Sequence, residues 1–385
     1  MLGRGRWWTG AFALLLALTW SDASLAQEGP RYSLQGFGGW AYGKTDNDNF
    51  LGYSASPEGA WRNYYFALNV GARPIDKLSI RAQAFWGEDL RGKRTNLDYV
   101  FAEYAPLNSV RLRVGKVLVP FGLYSETYDV GTLRPFYLLP QFYVGTAGLI
   151  PKAYLGGGVT GAPPLGQKWE LQYDVFGGEI EFEPFVFETA AGVDPTTGLP
   201  VFQSRSQQFA GKDMVGGRLL LVSTEFGVDF GGSIIHLGGV VLPEDSVLPE
   251  GSANLYNLRA QYQKGPFAVR AEFFKLAAQT QGDVDAFYSE ASYRFLGKLQ
   301  LAAQYEHIEI RIPVSTLTVP DAITQHTSFG LALNFWLSPE VVVKANGYTV
   351  HKNLAARPEN FTLAALLGTI DKTTGALVLG AQFSF

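Results

Sequence analysis

Few residues in this sequence are spaced for bond-making chemistry. His326 and Ser328 stand two apart in the stretch 325–330. In a strand that spacing puts both side chains on one face, where a histidine can take a serine's proton. The other histidines, His236, His307 and His351, are scattered with no ligand spacing for zinc. With no cysteine the chain has no disulfide and no thiolate metal centre. The expectation is no catalytic set, no metal, no cofactor and no enzyme activity.

The more frequent pattern is electrostatic. In 78–86, Leu78, Ile80, Ala82, Ala84 and Trp86 alternate with Ser79, Arg81 and Gln83. Apolar and polar residues at period two make a strand with one greasy and one wet face. Segments 169–176, 299–307 and 327–335 repeat the pattern. On the polar side fall Arg81, Glu103, Arg111 and Arg113, then Arg259, Arg270, Glu272 and Arg294. Asp98, Glu170, Asp174, Glu290 and Lys344 share that side. So many unpaired charges would be ruinous in a dry core. Lining water they cost little and set a field for passing ions, so the first eight are expected to line a pore. The rival for each is simple pairing across strands.

These charges need a frame that keeps apolar side chains outside and polar ones within. Arg4 and Arg6, the apolar run 11–18 and the small residues Ser24-Leu25-Ala26 read as a signal peptide, 1–26. The run is too short for the roughly 20 residues of a spanning helix. No later apolar run is long enough either, yet the chain has 27 Phe, 19 Tyr, 8 Trp and 44 Gly with only 17% charged residues. That balance suits strands, turns and an apolar outer surface. A formal net charge of −4 gives no support for nucleic acid as a partner. At the C-terminus Leu377, Leu379, Ala381, Phe383 and Phe385 alternate with Val378, Gly380, Gln382 and Ser384, a strand ending on an aromatic.

Sixteen strand-like segments span 34–385, with fourteen as the alternative if two weak ones are loops. Their connections alternate between tight turns, near 106, 223, 264, 296 and 338, and long ones at 43–60, 117–153, 177–213, 238–252, 309–323 and 351–374. Two more, 87–96 and 277–283, are of middling length. Short turns on one rim and long loops on the other is the habit of outer-membrane barrels. The expected architecture is therefore all-β: a closed antiparallel transmembrane barrel, 27–385, in one domain. A soluble sandwich or propeller would put its apolar face inward instead. A barrel of about eight strands fills with side chains, whereas one of about sixteen leaves a channel.

The connection 117–153 carries Pro120, Pro135, Pro140 and Pro151 with many apolar residues, which suits an ordered segment folded against the barrel interior. Its entry has Arg113, Gly115, Lys116, Pro120, Gly122, Tyr124, Ser125, Glu126, Asp129, Arg134 and Pro135 in a spacing that resembles a Gram-negative porin-like family akin to the phosphate-selective, sixteen-strand porins. The resemblance implies a constriction loop after the fifth strand, with Lys116, Tyr124, Glu126, Asp129 and Arg134 at the narrowing. The alternative is that Gly122, Asp129 and Arg134 only brace the loop, through hydrogen bonds and an ion pair. The basic ladders of strongly phosphate-selective members are not evident. The C-terminal strand resembles the signal by which such barrels are recognised for insertion, so Phe385 is expected to engage the barrel-assembly machinery. Other expected partners are outer-membrane lipid and lipopolysaccharide, small hydrophilic solutes or ions, and further copies of the chain in a homotrimer.

The function this reading implies is passive diffusion through a water-filled barrel in the bacterial outer membrane. One rival is an outer-membrane phospholipase, whose barrels also use a His and a Ser two apart. Here Phe329, Leu331 and Leu333 would face lipid, so His326 and Ser328 would face inward, the wrong side for a lipase. A plugged transporter lacks room for a plug before the first strand. A hydrophobic-substrate channel would want an apolar lumen. A non-conducting scaffold or adhesin is the remaining alternative.

Overall fold

The computed structural model describes residues 31–51, 54–89, 92–107, 109–143, 149–182, 185–207, 210–241, 251–279, 282–311, 324–352, 354–358 and 361–385. The expected signal peptide lies outside them. The first eight barrel strands are β1 (Tyr32–Thr45), β2 (Ala60–Ile75), β3 (Leu78–Asp89), β4 (Gly92–Leu107), β5 (Val110–Leu118), β6 (Ala153–Gly161), β7 (Trp169–Glu181) and β8 (Ala210–Ser223). The other eight are β9 (Val228–Val241), β10 (Gly251–Lys264), β11 (Phe267–Ala278), β12 (Gly282–Phe295), β13 (Leu299–Arg311), β14 (Gln325–Ser338), β15 (Val341–His351) and β16 (Thr373–Ser384). Each pairs antiparallel with the next, and β16 returns to β1 with Ala381 opposite Trp40. Closure removes both edges, the only way a sheet satisfies its backbone in hydrocarbon. Phe385 completes the seam by donating its amide to the Gly36 carbonyl at 2.8 Å.

Strand β14 shows why the barrel has this polarity. Leu331 is 70% exposed and Phe329, Leu333, Phe335 and Leu337 are exposed beside it, while Asn334 is 0% exposed and His326 and Ser328 are buried. This is the reverse of a soluble sandwich, where the buried face would be the apolar one. β13 and β15 follow suit, with Leu299 and Leu301 out and Glu306 in, Val343 out and Lys344 in, whereas β9 to β11 also bury Ile235, Leu255 and Phe274 in a cluster with Val119, Phe121 and Phe142.

Tight turns gather at one rim, at 76–77, 265–266 and 339–340. At the other rim the middling connections prove shorter than expected. β3 and β4 stay paired as far as Asp89 opposite Gly92, and β11 and β12 as far as Ala278 opposite Gly282. Backbone pairing continues there after the apolar alternation has stopped, in polar residues such as Lys93, Arg94 and Thr95. Within 177–213 a separate hairpin, Phe185–Val193 with Pro200–Gln207, is closed by the Asp194 carboxylate, which accepts the amides of Thr196 and Thr197.

Candidate functional site

Beyond β5 the backbone leaves the sheet and runs irregularly through Val119–Tyr143, with single 3-10 turns at Ser125–Thr127 and Gly131–Leu133. An irregular segment has amides and carbonyls that no ladder satisfies, and each must find a partner. Here the partners are inner-face side chains of distant strands. Glu306 of β13 accepts the amides of Gln141 at 2.5 Å and Phe142 at 3.3 Å. Glu272 of β11 accepts the Leu123 amide at 3.3 Å, the Tyr143 hydroxyl at 2.7 Å and an Asn257 amide proton at 2.6 Å. Burial and the adjacent Glu272 push the Tyr143 phenol well above its ordinary pKa, so it stays a donor.

Carbonyls receive the complementary treatment. Lys344 of β15 is buried and donates through Nζ to Arg134 O at 2.6 Å, Gly131 O at 2.8 Å and Phe136 O at 3.4 Å. Asn334 donates to Pro135 O at 2.8 Å, and Arg259 to Gly122 O at 2.8 Å. Gly122 has φ +76°, and a Cβ there would stand 2.2 Å from the Tyr143 hydroxyl and 2.4 Å from Glu272, so only glycine fits. Apolar residues fill between the anchors: Phe121 and Phe142 pack on Phe274 with centroids 6.0 Å away.

Of the residues expected at a narrowing, four lie on this segment and one does not. Tyr124 is buried and its hydroxyl donates to Glu290 at 3.2 Å. Glu126, its side chain 42% exposed, is paired with Arg218. Asp129 is buried and pairs with Lys152 at 2.7 Å, which also meets Asp98 at 2.9 Å, with Gln83 bonded to both carboxylates. Burial opposes the charge on Lys152, but Asp129 and Asp98 outweigh it and hold the ammonium above the usual lysine range. Arg134 does not pair with Asp129. Its guanidinium donates to the carbonyls of Tyr128 at 2.6 Å, Tyr137 at 3.1 Å and Phe136 at 3.3 Å, which makes it a brace.

Lys116 is a correction. It precedes the segment on β5 between cross-strand neighbours Val100 and Leu155, both exposed apolar residues of the outer face, and its ammonium rests on Leu97 O at 2.7 Å. The alternation Leu112, Val114, Lys116 puts it outside.

The wall residues fall on the inner face. Arg113 pairs with Glu103 at 2.7 Å, Arg259 with Asp229 at 3.2 Å and Arg270 with Glu290 at 2.9 Å. Arg81, opposite the buried Phe101, and Arg111, opposite Thr160, are exposed. Arg294 lies over the Trp336 ring at 3.8 Å. Sequence reading did not single out Arg218, which links Glu126 to Asp174 at 2.8 Å, nor Lys152. A lone Arg amid the apolar residues of β8 was the available signal for the first. His326 and Ser328 also face inward, as expected, but neither ring nitrogen of His326 has a hydrogen-bond partner, and the nearest Glu306 oxygen is 3.6 Å away. The serine is therefore not activated. Among the described residues no group of three acidic or histidine side chains could hold a metal ion.

No family profile matches the chain, and no curated protein matches it. Solved structures do. The outer membrane channel DcaP of Acinetobacter baumannii superposes with a TM-score of 0.56 at 9% identity, over 92% of this chain and 97% of that one. Salmonella typhi OmpF, solved in complex with daunomycin, gives 0.56 at 12% identity over 92% and 97%. An anion-selective porin from Comamonas acidovorans gives 0.53 at 11% identity over 92% and 99%. At these identities the likeness is one of architecture: this chain has the sixteen-strand barrel fold of outer-membrane porins.

Proposed function

We propose that the protein is an outer-membrane porin through which small hydrophilic solutes and ions diffuse passively, with no chemical step. The observation that carries this reading is the inverted polarity of the closed barrel, with leucine and phenylalanine outside and arginine, glutamate and asparagine within. An exposed belt of such residues is stable only against hydrocarbon, and charged groups on the inner wall are cheap only near water. The shared fold of DcaP, OmpF and the Comamonas porin supports the same conclusion.

Residues 119–143 form the constriction in this proposal. Their bonds reach Gln83 on β3, Arg218 on β8 and Lys344 on β15, strands on different sides of the barrel, which supports a segment lying across the lumen. Glu126 is the charged side chain of the segment that solutes meet, while Tyr124, Asp129 and Arg134 hold its shape. A phospholipase is disfavoured by the inward, unbonded His326.

The test is swelling of proteoliposomes in isosmotic sugar. Purified protein should speed swelling in a pentose and progressively less in a disaccharide and a trisaccharide. Swelling no faster than in protein-free liposomes would refute the proposal.

A further inference from the structure

Charge on the inner wall is not evenly compensated. Taken one by one, its carboxylates are occupied. Glu103, Asp229 and Glu290 each have their own arginine, and Asp174 shares Arg218 with Glu126. Asp98 and Asp129 share Lys152, while Glu272 and Glu306 are buried among hydrogen-bond donors. Glu126 is partly exposed but sits on Arg218. Glu170, half-buried and bonded by Gln172, is the accessible carboxylate without a cation.

The arginines are not all occupied. Arg81 and Arg111 are exposed on the inner face, and among the described residues no carboxylate pairs with either. Arg294 stacks on Trp336 and its Nε has no partner. All three lie toward the tight-turn rim, Arg81 just past the 76–77 turn, Arg111 just past Ser109 and Arg294 just before Leu296. Arg81 on β3 and Arg111 on β5 sit on one wall with β4 between them, and Arg294 on β12 lies well around the barrel.

We infer that Arg81, Arg111 and Arg294 set the charge preference of the passage and that it favours small anions. The reason is the range of the fields. A salt bridge presents a dipole whose field dies within a few ångströms, whereas an unpaired charge acts over a Debye length of about 8 Å at physiological salt. Low-dielectric walls focus that field into the water between them. Among the described inner-face residues of the strands at this rim, the accessible carboxylate without a cation is Glu170. Asp129 and Glu126 are tied to Lys152 and Arg218, and the Arg134 guanidinium is turned onto three carbonyls, so reversing any of them first disturbs the segment's anchoring.

This inference rests on the porin reading, and one experiment separates the two. Single channels in planar bilayers under a potassium chloride gradient give the chloride-to-potassium permeability ratio. The wild type should exceed one. Arg81→Gln with Arg111→Gln should lower the ratio by roughly threefold to tenfold while the channel still conducts, because a unit charge about 6 Å away in water biases each ion about threefold. Adding Arg294→Gln should lower it further, whereas Lys168→Gln with Glu225→Gln, an exposed ion pair at the same rim, should leave it within about twofold. Arg81 and Arg111 are exposed, and the heat-dependent shift in gel mobility of a folded barrel checks each variant. A wild-type ratio at or below one, or an unchanged ratio in the conducting double variant, overturns the inference and leaves the porin standing. Absence of any conductance overturns both.

Discussion

Lys344→Met removes the ammonium that holds the turn at 131–136 to the wall. Lys344 is 1% exposed, and two of its three bonds to carbonyls, at 2.6 and 2.8 Å, are short and charge-assisted. Such bonds are worth roughly 1.5–3 kcal/mol each, so about 3–6 kcal/mol of attachment is lost. Methionine nearly matches the volume, and removing a buried cation relieves part of its own desolvation cost. A net weakening of about 2–4 kcal/mol remains, and with tenfold for every 1.4 kcal/mol the detached state rises roughly 30- to 700-fold. The strands keep their ladders, so the barrel should still migrate as a folded species. Detachment should appear as added current noise in single channels and as faster proteolytic cleavage within 131–136. Lys344→Arg, which can still donate to the carbonyls, should recover much of the wild-type behaviour. Wild-type noise and wild-type protease resistance in the methionine variant would refute the anchoring argument.

Leu331→Arg puts a charge at the middle of the outer belt. It should cost about 2–4 kcal/mol in urea unfolding from lipid vesicles; a neutral result would mean that this face does not meet hydrocarbon. Lys152→Met leaves the buried Asp98 and Asp129 carboxylates without their cation, a loss of about 3–5 kcal/mol at neutral pH. Because protonating those carboxylates removes the uncompensated charge, the deficit should shrink as pH falls, and urea melts at pH 7 and pH 4 measure it. Purified protein should release no fatty acid from phospholipid, and hydrolysis lost in Ser328→Ala would reinstate the lipase reading.

The barrel was legible because its signal is local. Phe329, Leu331, Leu333 and Phe335 against Ser328, Ala332 and Asn334 state a strand and its two faces within a few residues, and the same rule repeated gives the sixteen strands. Local pattern also sorted Arg81, Arg111 and Arg294 onto the inner wall. It would have sorted Lys116 correctly too, since Leu112 and Val114 put that parity outside; the motif resemblance pulled it the wrong way. Strand ends at the long-loop rim were harder, because pairing from Lys93 to Leu97 survives without apolar alternation. The anchors of 119–143 were not legible at all. Leu123 meets Glu272 and Arg134 meets Lys344 across separations that no periodicity encodes. Asp129 and Arg134, close in sequence, looked like partners, yet the geometry gives Asp129 to Lys152 and Arg134 to three carbonyls.

The most direct test of the whole account is electrical. Folded protein added to a planar lipid bilayer in symmetric potassium chloride should produce discrete upward steps of current, each proportional to voltage at low potential, as water-filled passages appear one by one. Protein that demonstrably enters the membrane with its β-structure intact and yet carries no current above the bare bilayer would contradict it.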